Sequence, residues 1–206
     1  TASIDPLSTS ADITVLPGSI SYVLVTPSPA ALAVGEAANF TAAAYDSSNN
    51  IVPGASFSWS TQGGGSIESS SGANATFRAG AAVGIYANAL VATANGKNGS
   101  VTITVNPGSL ASLRISPSNT AQEAGDTKVF SVVARDAFNN TISNPPVVWS
   151  AAPQAGVIQQ DGTLVVGTVA GKYPAVITVT SGALSATANL TITPAALDTI
   201  ALAPNV

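Results

Sequence analysis

The chain has 206 residues, of which 46% are hydrophobic and only 8% charged, and its formal net charge is −4. It contains no histidine, cysteine or methionine. This composition excludes a Ser-His-Asp triad, a cysteine nucleophile, a metal site of imidazole or thiolate ligands, and a disulfide. The six cations are scattered singly along the sequence, which argues against a nucleic acid partner and against an anionic membrane surface. They are Arg78, Lys97, Arg114, Lys128, Arg135 and Lys172. Neither a signal peptide nor a transmembrane segment is predicted.

The first predicted element is a strand at Ser10 to Leu16. Residues 11–17 (ADITVLP) repeat the alternating pattern of residues 101–107 (VTITVNP), which closes the first full repeat. Residues 1–16 are therefore predicted to be the closing strand of a preceding repeat or an exchanged N-terminal strand.

Residues 17–106 form the first predicted domain. Short alternating runs rich in Val, Ile, Thr and aromatics lie between clusters of Gly, Pro, Asn and Ser, which predicts strands and almost no helix. The Asn95-Gly96 pair predicts a hairpin, since both residues tolerate positive φ. The predicted strands are Ser21 to Thr26, Ala37 to Tyr45, Ser56 to Thr61, Asn74 to Arg78, Tyr86 to Ala94 and Ser100 to Val105.

Residues 107–193 form the second predicted domain, because they repeat the first. When the chain is shifted against itself by about 90 residues, PGSISYVLVTPSP at 17–29 aligns with PGSLASLRISPSN at 107–119. A shift of about 87 residues aligns the later strands of the two repeats. A third copy begins at PAALDTIALAP, residues 194–204. Residues 194–206 are accordingly predicted to open a following repeat, with a strand at Asp198 to Ala203. About seven short strands in each repeat predict two tandem immunoglobulin-like Greek-key β-sandwiches, an all-β fold.

Two long stretches carry a family resemblance. LAVGEAANFTAAAYDSSNNIVPGASFSWSTQGGGSI, followed by VGIYANALVATANGKNGSVTITV, resembles bacterial immunoglobulin-like (Big-type) tandem repeats of surface adhesins, stalks and envelope filaments. The second copy, with AGDTKVFSVVARDAFNN and AGKYPAVITVTSGALSATANLTIT, is similar to the same family. The chain departs from antibody-type domains at the positions of their cysteine pair, where it has Ala42 and Asn88 in one repeat and Val132 and Ala175 in the other.

Aromatic residues at matching repeat positions are predicted to anchor the two cores. Trp59 with Phe40, and Trp149 with Phe130, are expected to pack between the sheets with nearly complete burial. The alternative for the tryptophans is an exposed face that stacks on a ligand. Tyr86 and Tyr173 each follow a glycine by two residues and are predicted to be tyrosine corners, whose hydroxyls bond to nearby backbone.

Asn88 presents a conflict in this pattern. Alternation from Tyr86 to Leu90 directs it inward, so it is hydrogen-bonded in the core, displaced by a bulge, or wrongly placed in the strand.

No catalytic, cofactor-binding or metal-ligating residues are predicted, and no cofactor. Asp46 with Asn49 and Asn50, and the equivalent Asp136 with Asn139 and Asn140, could supply oxygen ligands to calcium, but a strand-ending Asx turn explains the spacing more simply. No carboxylate pair lies in a context that indicates glycoside hydrolysis. The Gly63-Gly64-Gly65 run lacks the lysine and helix of a phosphate loop and is predicted to be a turn.

Five Asn-X-Ser/Thr sequons are candidate N-glycosylation sites, a weak excess over chance. Alternation places Asn39 and Asn189 on the outer faces of the sheets, and Asn98 and Asn139 are predicted in turns. The five sites are Asn39, Asn74, Asn98, Asn139 and Asn189.

The sequence favours a non-enzymatic structural segment at the cell surface or outside the cell: a stalk, a surface-layer component or a filament. Self-association or a longer tandem array is the expected partner relationship. The alternative is an adhesin or carbohydrate-binding module, including an accessory region of a secreted enzyme, with a glycan or cell-surface ligand. Neither nucleic acid binding nor membrane insertion is predicted.

Overall fold

A computed structural model describes residues 2–4 and 7–197 of the chain. The chain divides into two compact units, the first ending at Asn106 and the second beginning at Pro107. In the described residues the only helix is one 3₁₀ turn, Pro153–Ala155. The predicted all-β fold of tandem β-sandwiches is confirmed.

The N-terminal segment differs from the expected closing strand. Strands β1 (Ala2–Ile4) and β2 (Leu7–Thr9) form a small antiparallel pair, and residues 10–21 form no strand. Residues 10–16, where a strand that pairs with another repeat or subunit was predicted, have no ladder partner among residues 2–4 and 7–197. Ile13 and Val15 are consequently 89% and 87% exposed. The strand predicted at Asp198 to Ala203 lies outside the described residues.

Unit 1 is a sandwich of two four-stranded sheets. One sheet has the order β3-β5-β8-β7, with β3 Tyr22–Thr26, β5 Ala37–Tyr45, β8 Asn74–Ala79 and β7 Gly65–Ser71. The other has the order β4-β10-β9-β6, with β4 Ala30–Ala33, β10 Lys97–Asn106, β9 Gly84–Ala94 and β6 Ser58–Thr61. All neighbours are antiparallel except β4 and β10, which run parallel.

Unit 2 repeats this arrangement with its first sheet divided in two. The divided part comprises β11 (Leu110–Ser116) with β14 (Ser131–Asp136), and β13 (Thr127–Val129) with β17 (Thr163–Val166) and β16 (Gly156–Ile158). The other sheet has the order β12-β19-β18-β15, with β12 Asn119–Glu123, β19 Leu184–Thr193, β18 Gly171–Ser181 and β15 Val148–Ala151. The break at Phe130 separates β13 from β14, which together take the place of β5.

The two cores differ in their aromatic centres. In unit 1, Phe40 and Phe77 are fully buried and meet edge to face, with ring centroids 6.4 Å apart. In unit 2, Phe130 and Trp149 are buried. Trp59 departs from the predicted near-complete burial: it is partly buried against the core, because its indole N–H reaches outward and donates to the Gly72 carbonyl at 3.1 Å.

A bulge resolves the conflict at Asn88. Asn88 has φ of 53°, and Ala175 at the matching position of unit 2 has φ of 52°. The register between β9 and β10 shifts next to this residue, so the side chain of Asn88 leaves the inward alternation and is exposed. Its Oδ1 accepts a 2.7 Å bond from the Ser100 hydroxyl.

The two tryptophans occupy the same repeat position at different burial, which makes them a matched pair. We expect Trp149→Ala to lower the free energy of unfolding of unit 2 by about 3 to 5 kcal/mol, because it leaves a cavity in a closed core. Trp59→Ala, at a partly exposed site, should cost unit 1 less. Urea titrations followed by far-UV circular dichroism measure both; a loss below about 1 kcal/mol for Trp149→Ala would contradict the assignment of Trp149 to the core.

Candidate functional site

Two aspartates stand out in the described part of the chain, because they are its only buried charged side chains. Asp46 directly follows β5 and Asp136 is the last residue of β14, and each is 4% exposed. No group of three or more acidic or other metal-ligating side chains occurs among residues 2–4 and 7–197. The chemistry at each aspartate is therefore that of a single carboxylate and its hydrogen-bond donors.

Four N–H donors surround the carboxylate of Asp46. Its Oδ1 accepts from the backbone N–H groups of Ser48 and Asn50, both at 2.9 Å. Its Oδ2 accepts from the backbone N–H of Gly18 at 2.8 Å and from Nδ2 of Asn50 at 3.1 Å. The carboxylate thus binds the turn that follows it and the chain segment that enters unit 1.

Asp136 repeats these four bonds in unit 2. Its Oδ1 accepts from the backbone of Phe138 at 2.9 Å and of Asn140 at 2.8 Å. Its Oδ2 accepts from the backbone N–H of Gly108 and from Nδ2 of Asn140, both at 2.9 Å. We call each constellation an aspartate lock: Asp46 with Gly18, Ser48 and Asn50, or Asp136 with Gly108, Phe138 and Asn140.

The locks correspond to the Asx turn of the sequence prediction rather than to its calcium alternative. Asn49 and Asn139 adopt the left-handed φ of 65° and 68° that the turn requires. The carboxylate oxygens face N–H groups, whereas a calcium ion needs several oxygen ligands directed at one point. The Asn50 and Asn140 side-chain amides also donate to the aspartates.

Hydrogen bonding lowers the pKa of both lock aspartates. The N–H of Gly18 and then the Asn50 amide are the main causes that lower the pKa of Asp46 from 3.8 to about 2. Burial by itself would raise the pKa of Asp136, but the Asn140 side chain, Gly108 and the turn backbone outweigh it and the net shift is downward. Both groups are therefore ionised at neutral pH.

Unit 1 carries a partly exposed aromatic pair that was not predicted from the sequence. Tyr22 and Tyr45 are paired across β3 and β5, and their rings stack with centroids 5.1 Å apart and planes 8° apart. The Tyr22 hydroxyl donates to Oδ1 of Asn49 at 3.0 Å, and Tyr22 is 39% exposed. The available signal was their outward alternation in two adjacent strands. Stacked aromatics on a surface are typical of sugar-binding and protein-binding faces.

The predicted tyrosine corners lie away from this pair. The Tyr86 hydroxyl donates to the Ala82 carbonyl at 3.1 Å, and the Tyr173 hydroxyl donates to the Val169 carbonyl at 2.9 Å. Each bond joins the start of a long strand to the loop before it. These hydroxyls are used in local structure and point to no ligand.

All five sequon asparagines are exposed. Asn98 lies within β10 rather than in the turn where it was expected. Two of the sequons are cross-paired on the outer face of unit 1: the Thr76 hydroxyl donates to Asn39 at 2.8 Å, and the Thr41 hydroxyl donates to Asn74 at 3.0 Å. Each threonine of one sequon thus holds the asparagine of the other. The five exposed sequon asparagines are Asn39, Asn74, Asn98, Asn139 and Asn189.

The fold is similar to the folds of two solved bacterial proteins. The chain matches the Escherichia coli adhesin FdeC with a TM-score of 0.56 and 21% identity, over 88% of this chain and 68% of that one. It matches Yersinia pseudotuberculosis InvD with a TM-score of 0.54 and 22% identity, over 89% of this chain and 60% of that one. The chain therefore spans less than two thirds of the InvD structure. No protein-family model and no curated protein sequence matches it.

Within the described residues, no helix has the length and apolar character to cross a membrane.

The lowered pKa of Asp46 predicts an acid-sensitive unit 1. Because the folded-state pKa lies below the ordinary value of 3.8, the stabilisation is present above pH 4 and is lost as the pH falls toward about 2. Calorimetric melting between pH 6 and 2 should show the transition of unit 1 falling steeply in the native chain. Asp46→Asn should melt lower at pH 6 and depend less on pH, whereas Asp12→Asn, at an exposed carboxylate, should follow the native curve. Equal pH slopes in all three proteins would contradict the assignment.

Proposed function

We propose that this chain is a non-enzymatic, extracellular structural segment, the building block of a stalk, surface layer or filament. Residues 17–106 and 107–193 are its two immunoglobulin-like domains, and residues 1–16 and 194–206 belong to interactions with adjoining repeats. The observation that carries the proposal is the aspartate lock at the entrance of each domain.

The lock leaves a very short joint between the two domains. Strand β10 ends at Asn106, and the backbone of Gly108 is already bound to Asp136. Pro107 alone separates the last strand residue of one domain from the first anchored residue of the next. Its ring fixes φ, so the connection has few free dihedral angles. Such a joint suits a spacer that must transmit position along a chain of domains.

Surface chemistry and fold likeness support an extracellular setting. The exposed residues are mainly Ser, Thr, Asn and Ala, with few charges, and five sequons are accessible. FdeC is an adhesin, and its likeness in fold makes a surface role the natural interpretation. The absence of histidine and cysteine from the sequence removes the commonest catalytic groups.

A recognition role is the second candidate, and one specific observation favours it. The Tyr22–Tyr45 pair lies on an outer sheet face, with Leu24 beside it and 46% exposed. A flat aromatic and aliphatic patch of this kind fits the face of a sugar ring or an apolar side chain of a receptor. The surface-adhesin alternative therefore rests on unit 1.

The joint can be tested with spin labels, because a chain without cysteine accepts two unique labels. Ser69→Cys and Ser185→Cys place the labels on exposed positions of units 1 and 2. Asp136→Asn should broaden the interspin distance distribution at least about two-fold, since its amide nitrogen would face the Gly108 and Asn140 donors and free the joint.

Asp46→Asn is the matched control for this measurement. It breaks the same lock at the entrance of unit 1, which lies before the first domain, so the distance distribution should stay as in the native chain. A native chain with a broad distribution, or equal broadening by both substitutions, would refute the proposed stiff joint.

We further propose that residues 10–16 pair with an adjoining repeat or with a neighbouring subunit. Ile13 and Val15 alternate with the polar Asp12 and Thr14, and both are largely exposed, as in a strand that has no neighbouring strand to pair with. If pairing is with a second copy, sedimentation velocity at rising concentration should show polymers for the full chain and none after deletion of residues 1–16. Both domains should remain folded after the deletion, because each holds its own closing strand, β10 or β19. A full chain that stays monomeric at millimolar concentration would exclude exchange between subunits.

A further inference from the structure

We propose that unit 2 contains a binding site for acidic saccharides, in a cleft beside β11 whose cationic groups are Arg114 and Arg135. The inference is independent of the structural role, because it rests on side chains that the aspartate locks and the joint do not use. It assigns a ligand class to a cleft of unit 2 whose lining has no aromatic residue, unlike the Tyr22–Tyr45 surface of unit 1.

The cleft has a volume of about 890 Å³, within the roughly 300 to 1,000 Å³ of small-molecule sites. Its walls come from β11, from β14, from the Pro117 turn that leads into β12, and from Ala186 and Thr187 of β19. It therefore lies along the open side of unit 2, where β11 of one sheet passes β19 of the other.

The two units differ at one small residue beside this cleft. In unit 1, Gly99 of β10 allows β3 to come so close that a Cβ there would lie 2.5 Å from the Val23 carbonyl oxygen. The repeat alignment places Ala186 at the position of Gly99 and Leu113 at that of Val23. Ala186 and Leu113 both line the cleft, so unit 2 carries a methyl group where unit 1 has none.

Two of the six cations of the chain meet on the outer face of β11 and β14. Arg114 is paired with Val133, and Ser112 with Arg135, so the two arginines are diagonal neighbours, a separation that long side chains can span. Arg135 is held in place by a 2.6 Å bond from its Nη1 to the Asn139 carbonyl. Arg114 is exposed and makes no hydrogen bond or ion pair to any described residue.

The fold does not require these arginines. The equivalent positions of unit 1 hold Leu24 and Tyr45, and that sandwich forms equally well. No acidic residue lines the cleft, although the chain has a net charge of −4. The cleft is thus a local cationic site on an acidic protein.

The arginines and the hydroxyl side chains of the cleft together favour one class of anionic ligand. Guanidinium groups bind carboxylates through paired N–H donors, and the hydroxyls of Ser112, Ser116 and Thr187 match the hydroxyls of a sugar ring. Two cations are too few for the phosphate contacts of a nucleic acid. A saccharide that carries carboxylates, such as a uronic acid oligomer, presents both complementary groups.

The experiment measures binding of tetragalacturonate by titration calorimetry, with maltotetraose as the neutral probe and a tetraglutamate peptide as the acidic, non-saccharide probe. The chain is produced in a host that does not glycosylate asparagine, because Asn139 is part of the cleft wall. We expect the uronate to bind at least about ten-fold more tightly than either other probe, and Arg114→Gln or Arg135→Gln to weaken it about ten-fold, the loss of one charged hydrogen-bonding group.

Lys172→Gln is the matched control, since it removes one exposed cation of unit 2 outside the cleft and should leave the affinity unchanged. Amide chemical shifts should move at Ala186 and Thr187 and stay fixed at Val23 and Gly99 of unit 1. Arg114→Gln tests the site without touching the Asn139 bond, so an unchanged melting temperature there separates lost binding from lost structure. Absence of uronate binding, equal binding of the peptide, equal weakening by Lys172→Gln, or shifts confined to unit 1 would each overturn the proposal.

Discussion

Each domain depends on one buried carboxylate. It belongs to Asp46 after β5 in unit 1 and to Asp136 at the end of β14 in unit 2. Burying a charge is costly unless donors replace its water, and four N–H groups do so at each site. The donors come from two distant parts of the chain: Asn50 lies four residues after Asp46, and Gly18 lies 28 residues before it. One side chain thereby fixes the turn after the second main strand and the point where the polypeptide enters the sandwich.

The two domains share this interior and differ on their outer faces. At corresponding positions of the first sheet, unit 1 has Tyr22, Leu24 and Tyr45, whereas unit 2 has Ser112, Arg114 and Arg135. The inward residues that follow Leu24 and Arg114, which are Val25 and Ile115, are buried in both units. Because alternate residues of a strand face opposite sides, the outer set can change without disturbing the core. The same fold thus presents an aromatic surface in one domain and a cationic one in the other.

Local signals in the sequence predicted much of the strand content and missed what depends on long-range packing. Alternation gave β5 its bounds of Ala37–Tyr45, and Asn95-Gly96 forms the expected two-residue turn, with φ of 47° and 74°. Strands β4 and β7 were missed because Ala and Ser dominate them and carry no strand preference. They are strands because β10 and β8 offer their edges.

The same division applies to the sites. The turn at Asp46 follows from the local Asp-Asn-Asn spacing, whereas its bond to Gly18 depends on how β3 and β5 pair. The partial exposure of Trp59 depends on a carbonyl 13 residues away. The cleft of unit 2 is lined by residues of β11, β14 and β19 together, which no pattern within one strand reveals.

The parallel pairing of β4 with β10 determines how unit 1 responds to mechanical load. Strand β4 lies near the start of the domain and β10 at its end, and their residues Ala30 to Ala33 run alongside Ile103 to Asn106. Tension applied through the two ends of the domain pulls these strands along their length in opposite directions. The hydrogen bonds between them lie across that direction and are sheared together instead of being opened one after another. Stretching unit 1 through its ends therefore requires the β4–β10 hydrogen bonds to break together.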